Sequence, residues 1–309
     1  MISVSIYFLS LLLLVGFGQI DGKEETISVE DYSKMSVTEL NTAFILAVQN
    51  RRIEMMQELL QAGANVNTPI RYTWTSGDCD WTIESKALIY AIRHNYPDMV
   101  KVLVSLESKL NEALDLAIDE GYATAVEELV KGGADLNYAK ENGDTPLIVA
   151  VEHARATAEF GLQAHEQQRS RWQSRRAIIE ILLKGGAKVS HTNKDGETAL
   201  MKAVKEHDLY TVEILLQVPE MTRGSYFDFG TKPINYADKD GNTALILAIK
   251  KVQYTYINSQ QCSICKNSQK IIQVLLETPG IDLHHVNNNG ETAITLFKKL
   301  NEKLNKYPR

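Results

Sequence analysis

The residues with the most evident chemical potential are Cys262 and Cys265, spaced as C-x-x-C. That spacing suits half of a zinc site, a redox pair, a local disulfide or two free thiols. A zinc site needs a second pair of ligands, and no other C-x-x-C or paired histidine motif follows at zinc-ligand spacing. A redox pair wants its first cysteine at the start of a helix in a βαβ setting, which the surrounding sequence does not provide. Spacing, together with the exported character argued below, favours the local disulfide, with Cys79 left outside the pair. Other candidates fail on geometry. His165-Glu166-Gln167-Gln168-Arg169 opens like a zinc-protease helix but lacks the second histidine. His284 and His285 are neighbours, so they project in different directions and do not form a metal pair by themselves. No G-x-S-x-G, phosphate-binding glycine loop or EF-hand loop occurs. The expectation is a protein without catalytic residues, metal or cofactor.

The elements that carry these residues are set by an internal repeat. One phrase reads NGDTPLIVA at 142–150, DGETALMKA at 195–203 and DGNTALILA at 240–248, with a weakened copy NGETAITLF at 289–297. A second phrase reads LLQAGANVN at 59–67, LVKGGADLN at 129–137 and LLKGGAKVS at 182–190. Alanines fall in register at Ala47, Ala91, Ala117, Ala150, Ala203 and Ala248, and Phe297 takes their place in a final half repeat. Twelve residues beyond Ala47, Ala91, Ala117 and Ala203 stand Leu59, Leu103, Leu129 and Leu215, each preceded at three residues by an apolar side chain. Gly143, Gly196, Gly241 and Gly290 fit a turn that needs positive φ, and Thr145, Thr198, Thr243 and Thr292 follow as helix caps. Pro146 then fits the first helical turn, where a missing N–H costs nothing.

These phrases resemble the ankyrin repeat, with its period of about 33 residues and its T-P-L-H-x-A signature. The chain departs from that signature at Ile148, Met201 and Ile246, which replace the histidine, and it lacks a finger where Asn111 runs into Glu112. The resemblance implies an all-α solenoid of helix-turn-helix units with β-turn fingers, about six full repeats and a C-terminal cap. The expected organisation is a signal peptide at 1–18, a linker at 19–37, a repeat domain at 38–300 and a tail at 301–309. Within the domain the repeats fall at 38–67, 68–111, 112–137, 138–190, 191–235 and 236–284, with a cap at 285–300. Leu182 and Leu275 stand well beyond the twelve-residue spacing, which places insertions at 154–173 and 252–268, between the two helices of repeats four and six.

The resemblance also implies partner binding through the concave side of the stack. Matching finger positions include Glu141 and Asp144, Lys194 and Glu197, and Lys239 and Asn242. Matching first-helix positions are Glu152 and His153, Lys205 and Glu206, and Lys250 and Lys251. A second candidate is the enlarged first finger, Thr68–Glu84, with Tyr72, Trp74 and Trp81. Large aromatics beside an arginine are typical of binding hot spots, although such rings also fold back on their own scaffold. The insertion of repeat four gathers Arg169, Arg171, Arg175 and Arg176 around Trp172. That pattern suits nucleic acid, but beside acidic repeats these cations are expected to pair with neighbouring carboxylates.

Composition narrows the class. The 309 residues carry a formal charge of −6 and are 44% hydrophobic, enough for a packed core and too much for a disordered chain. The mild acidity argues against nucleic acid as the partner. Ile6–Val15 is an uncharged apolar run shorter than the roughly 20 residues that span a bilayer. Gly16 and Gly18 then suit cleavage after Gly18, although no basic residue precedes the run, and an uncleaved anchor or a buried structural helix are the alternatives. The reading is an exported monomer, periplasmic or secreted, that binds a protein and does not stay in a membrane. The alternatives are an accessory that protects a periplasmic enzyme, or an enzyme with its site in the inserted hairpins.

Overall fold

The structure, a computed structural model, describes residues 32–76, 79–106, 110–154, 166–222, 232–258 and 263–306. The apolar run at 1–18 and Cys262 lie outside these residues. The chain divides into two compact units, one comprising residues 1–120 with 127–134 and the other 121–126 with 135–309.

The first unit is built from short antiparallel helix pairs. Helices α1 (Val37–Gln49) and α2 (Ile53–Gln61) form the first pair. A hairpin of β1 (Ile70–Ser76) and β2 (Cys79–Ser85) precedes α3 (Ala87–Arg93) and α4 (Pro97–Val104). Next come α5 (Asn111–Glu120) and α6 (Ala123–Lys131), whose length is divided between the units. Ser36 starts α1 with a capping box: its Oγ accepts from the Glu39 N–H, and the Glu39 carboxylate accepts from the Ser36 N–H at 2.8 Å. The residues ahead of α1, read from sequence as linker, include Tyr32 and Met35, both buried, with the Tyr32 hydroxyl 3.3 Å from Glu58. Helices α1, α3 and α5 lie side by side. Ala47, Ala91 and Ala117 are fully buried between them, because only a small side chain lets these backbones approach closely. The bulk comes from Phe44, Met56, Leu59, Leu88, Met99, Leu103 and Leu114, all below 2% exposure. Helices of seven to ten residues are marginal alone, so stacking of these apolar faces supplies their stability.

The second unit repeats the scheme with α7 (Pro146–Ala154), α8 (Glu166–Lys184), α9 (Ala199–Lys205) and α10 (Leu209–Leu216). A short α11 (Pro219–Thr222) and a 3-10 turn at Pro233–Asn235 lead to α12 (Ala244–Asn258), α13 (Ser263–Glu277) and α14 (Ala293–Lys306). The first helices α7, α9, α12 and α14 form one row, and α8, α10 and α13 form the second. Ala150, Ala203 and Ala248 are buried in the first row, while Phe297, at the equivalent place in α14, is 40% exposed. The four threonines cap as their spacing requires. Thr145, Thr198, Thr243 and Thr292 each accept the N–H three residues on, at 3.5, 3.3, 3.4 and 3.1 Å. In repeat six both helices run to 15 residues, and in repeat four α8 runs to 19, against 7 and 8 for α9 and α10. Residues 155–165 of the first insertion fall outside the described residues.

The turns ahead of the first helices touch one another, and one glycine shows how closely. Gly143 has φ +84, and a Cβ there would lie 2.7 Å from the Lys194 nitrogen and 3.0 Å from the Asn193 Cα. Gly290 has a similar φ of +73 with nothing within 4 Å. Alanine at either site meets the left-handed penalty of about 1–2 kcal/mol. At Gly143 it must also push the next turn away. Gly143→Ala is therefore expected to cost roughly 2–4 kcal/mol in urea unfolding, and Gly290→Ala about 1 kcal/mol. Equal losses would contradict the close packing of the turns.

Candidate protein-binding surface

Each finger of repeats five, six and the cap is closed by one Asn or Asp side chain that sequence reading overlooked. Asn193 Oδ1 accepts from the Asp195 and Glu197 N–H groups at 3.0 and 2.9 Å. Asp238 Oδ1 accepts from Asp240 and Asn242 at 3.0 and 2.8 Å, and Asn287 Oδ1 from Asn289 and Glu291 at 3.0 and 2.9 Å. All three side chains are buried. Their signal was available as a constant offset, three residues ahead of Gly196, Gly241 and Gly290.

The closed turns then bond to one another. The Lys194 N–H donates to Asn142 O at 3.1 Å, Lys239 to Asp195 at 2.8 Å and Asn288 to Asp240 at 3.1 Å. Side chains reinforce this ladder. Asn193 Nδ2 donates to Asp144 Oδ1 at 2.8 Å, and Asn287 Nδ2 to Asn242 Oδ1 at 2.9 Å. The Nε2 atoms of His191 and His285 lie 3.0 Å from the carbonyls of Gly143 and Gly241, so each Nε2–H donates to the preceding finger. His285 therefore has a structural bond of its own, consistent with a repeat junction.

This network separates the expected contact residues into two sets. Glu141, Lys194 and Lys239 are exposed at the finger tips. Lys239 pairs with Asp195 of the preceding tip at 2.9 Å. Asp144, Glu197 and Asn242 are corrected as exposed positions: they are 4%, 8% and 5% exposed, because their side chains hold the next turn or the following helix. Glu197 is bonded by Lys205 and by Lys202, the latter at 3.0 Å, and Asn242 Oδ1 accepts from Lys250 at 2.8 Å. Two of the expected helix positions, Lys205 and Lys250, are thus tied to the base of their own finger.

The enlarged finger is an antiparallel hairpin of two seven-residue strands, an addition to a fold whose other described elements are helical. Its signal was the alternation of Ile70, Tyr72 and Trp74 with Arg71, Thr73 and Thr75, followed by Gly77-Asp78. Tyr72 folds back on the scaffold. Its ring meets Tyr90 edge-on at 5.0 Å and His94 at 5.4 Å, and Tyr90 and His94 stack at 4.0 Å. Burial first, and then Tyr96 and Tyr72, raise the Tyr90 hydroxyl above its ordinary value of 10.0. Trp74 and Trp81 are register partners across the hairpin; their side chains lie outside the described residues.

Two arginines of the α8 cluster, Arg175 and Arg176, are held within the protein, whereas Arg171 is exposed and the side chain of Arg169 lies outside the described residues. Arg176 stacks between the rings of Trp172 and Tyr210, 3.4 and 3.9 Å from their centroids, and lies 3.9 Å from Asp208. Arg175 is buried and donates to the His153 carbonyl. The side chain of Cys265, like Cys262, is outside the described residues, so the thiol pair is an expectation only.

Glu197 gives the ladder a pH dependence. Burial works to raise its carboxyl, but hydrogen bonds from Lys205 and Lys202 outweigh it and hold the pKa below the ordinary 4.5. A depressed carboxyl contributes stability that is present above pH 4.5 and lost as pH falls through the lower folded value. Glu197→Gln should therefore lower the urea midpoint at neutral pH and flatten its decline below pH 4.5. Parallel wild-type and variant curves across that window would contradict the assignment.

Comparison with known proteins agrees with this architecture. The family described as ankyrin repeats (3 copies) matches residues 24–113, 88–162 and 171–259, well over half of the chain. Ankyrin repeat and SOCS box protein 6 from Pongo abelii and from Homo sapiens are each 34% identical over 149 residues, 45% of this chain and 30% of theirs. The Mus musculus protein is 35% identical over 122 residues, 37% of this chain and 26% of its own. The chain thus spans less than a third of the length of these relatives. Among solved structures, the ankyrin repeat domain of Bcl-3 aligns with a TM-score of 0.54 and 18% identity, covering 82% of this chain and 92% of that one. At that identity the likeness concerns the fold alone. The register of alanines, the capped turns and the family match agree: the chain belongs to the ankyrin-repeat family.

Proposed function

We propose that this chain is an exported protein-interaction module. It binds a protein partner through the finger tips and first-helix positions of the second unit, and the enlarged finger of the first unit is a separate candidate surface. Ankyrin repeats are in general protein–protein interaction modules. The observation that carries the reading is the fixed row of exposed tips, Glu141, Lys194 and Lys239, each on a turn bonded to its neighbour. A surface already ordered loses little conformational entropy when a partner docks. The mixed charge of these tips, one acidic and two basic, suits a partner of complementary pattern and governs its rate of association more than its final affinity. Trp74 and Trp81, opposite each other in register, add the residue type that most often dominates an interface.

Among the described residues no group of three or more His, Cys, Asp or Glu is placed to hold a metal ion, and no helix is long and apolar enough to cross a membrane. Export rests on the apolar run Ile6–Val15 followed by Gly16 and Gly18.

Affinity capture on the mature chain, read by mass spectrometry, tests the binding surface. A partner held by wild type should be recovered about tenfold less by Glu141→Lys/Lys194→Glu/Lys239→Glu, and less again when Trp74→Ala and Trp81→Ala are added. Melting temperatures should be unchanged by the tip substitutions. Equal recovery on all three proteins would remove this surface from consideration. Export has its own measurement: N-terminal sequencing of the secreted protein should begin at Gln19, and a retained Met1 would refute cleavage.

A further inference from the structure

The inner alanines define which positions of each first helix face the finger side. The residues two and three beyond Ala47 are Gln49 and Asn50, and those beyond Ala91 are Arg93 and His94. In the first unit Gln49, Arg93 and His94 are half-buried and Asn50 is exposed. The Gln49 side-chain amide donates to the Arg71 carbonyl at 3.2 Å, and the Tyr72 ring lies against His94 and, one helical turn earlier, Tyr90. The start of β1, at Arg71 and Tyr72, therefore lies against the ends of α1 and α3. Its residues alternate accordingly: Ile70 is fully buried and Tyr72 half-buried, whereas Arg71 and Thr73 are exposed. On β2, Ile83 and Ser85 are half-buried and Glu84 is exposed, bridged to Arg71 at 2.9 Å.

The fit is incomplete. Tyr72 Oη and Ser85 Oγ, both on the hairpin, are buried without a hydrogen-bond partner, and so is Arg93 Nε on the helix face. A buried polar atom left unsatisfied is costly, and a native interface normally avoids it. The hairpin thus occupies this face with two unsatisfied atoms of its own and leaves a third unsatisfied beneath it.

We infer that the face formed by Gln49, Tyr90, Arg93 and His94 is a binding site for an extended peptide segment of aliphatic–x–aromatic pattern, and that β1 fills it in cis. Ile70 and Tyr72 are the pattern as it stands in the chain. A competing segment with phenylalanine in the place of Tyr72 carries no hydroxyl to bury, and one with an acceptor near Arg93 satisfies Nε. Such a segment carries neither penalty and competes with the resident strand once its concentration exceeds the effective concentration that the hairpin has in cis. This site lies in the first unit and is independent of the finger tips of the second.

Hydrogen exchange followed by NMR tests the inference on the full mature chain. Tyr72→Phe removes the buried hydroxyl and should slow exchange of the hairpin amides at least threefold. Tyr72→Ala should speed it at least tenfold while the amides of α2 and α4 keep their protection. An acetylated peptide of residues 66–73 carrying Phe at the place of Tyr72 is then added at millimolar concentration to the Tyr72→Ala protein. It should shift the resonances of Gln49, Tyr90 and His94, and the same peptide with Ala at that place should not. Unmoved resonances with both peptides, or hairpin exchange indifferent to Tyr72→Phe, would overturn the proposal. Loss of α2 and α4 protection in Tyr72→Ala leaves the Tyr72→Phe comparison to decide it.

Discussion

The second unit depends on one contact: the turn of each repeat hydrogen-bonds, backbone to backbone, to the turn of the next. The donors Lys194, Lys239 and Asn288 and the acceptors Asn142, Asp195 and Asp240 repeat at equivalent positions. For the contact to form, the turn must pass through positive φ and must carry no side chain where its neighbour approaches. Gly143, Gly196 and Gly241 meet both conditions, and Gly290, at the end of the row, meets only the first. The first helices can come near enough to align the turns only because Ala150, Ala203 and Ala248 separate them. Turn, cap and inner alanine are thus three consequences of one spacing requirement.

The same contact decides which side chains are available to a partner. A turn pressed against its neighbours buries the residues at its base, and buried polar groups must be paired. Asp144, Glu197 and Asn242 are paired in this way, and they bring Lys202, Lys205 and Lys250 with them. The side chains of the tips stay exposed, although the backbone of Lys194 and Lys239 makes the contact. The surface left for recognition is narrower than a plain reading of the finger would give, and it is more rigid. Among the described residues, several buried polar atoms without a hydrogen bond belong to the departures from the regular repeat: Tyr72, Ser85 and Arg93 at the hairpin, and Trp172 Nε1 and Arg176 Nε on the long α8. Places that break a local rule without evident compensation are where function is to be sought.

Much of this was legible in the residues. The turn glycines, the threonine caps, Pro146 and the alanine register are local or periodic signals, and each appears where its spacing put it. The burial of Asp144 and Asn242 was not legible, because each is held by an asparagine about fifty positions away in the next repeat. That of Glu197 follows from pairing with Lys202 and Lys205 on the next helix, which its type alone does not reveal. The equivalence of Asn193, Asp238 and Asn287 was visible but unread, since Asn and Asp in a turn look like ordinary turn residues until their shared offset is noticed. The enlarged finger was recognised as unusual, but its strand alternation was masked by the expectation of a β-turn. Where Tyr72 would go could not be derived from its type: an aromatic ring in a long loop serves a partner and a scaffold equally well, and only the contacts with Tyr90 and His94 decide.

The central claim is that the fingers of the second unit are one rigid, hydrogen-bonded row and not a set of independent loops. Amide hydrogen exchange at Lys194, Lys239 and Asn288 measures this directly. The account predicts protection within about tenfold of the buried amides of α9 and α12, since these bonds should open only when the repeats come apart. Exchange of these three amides at the rate of an unstructured peptide, with the helices still protected, would contradict it.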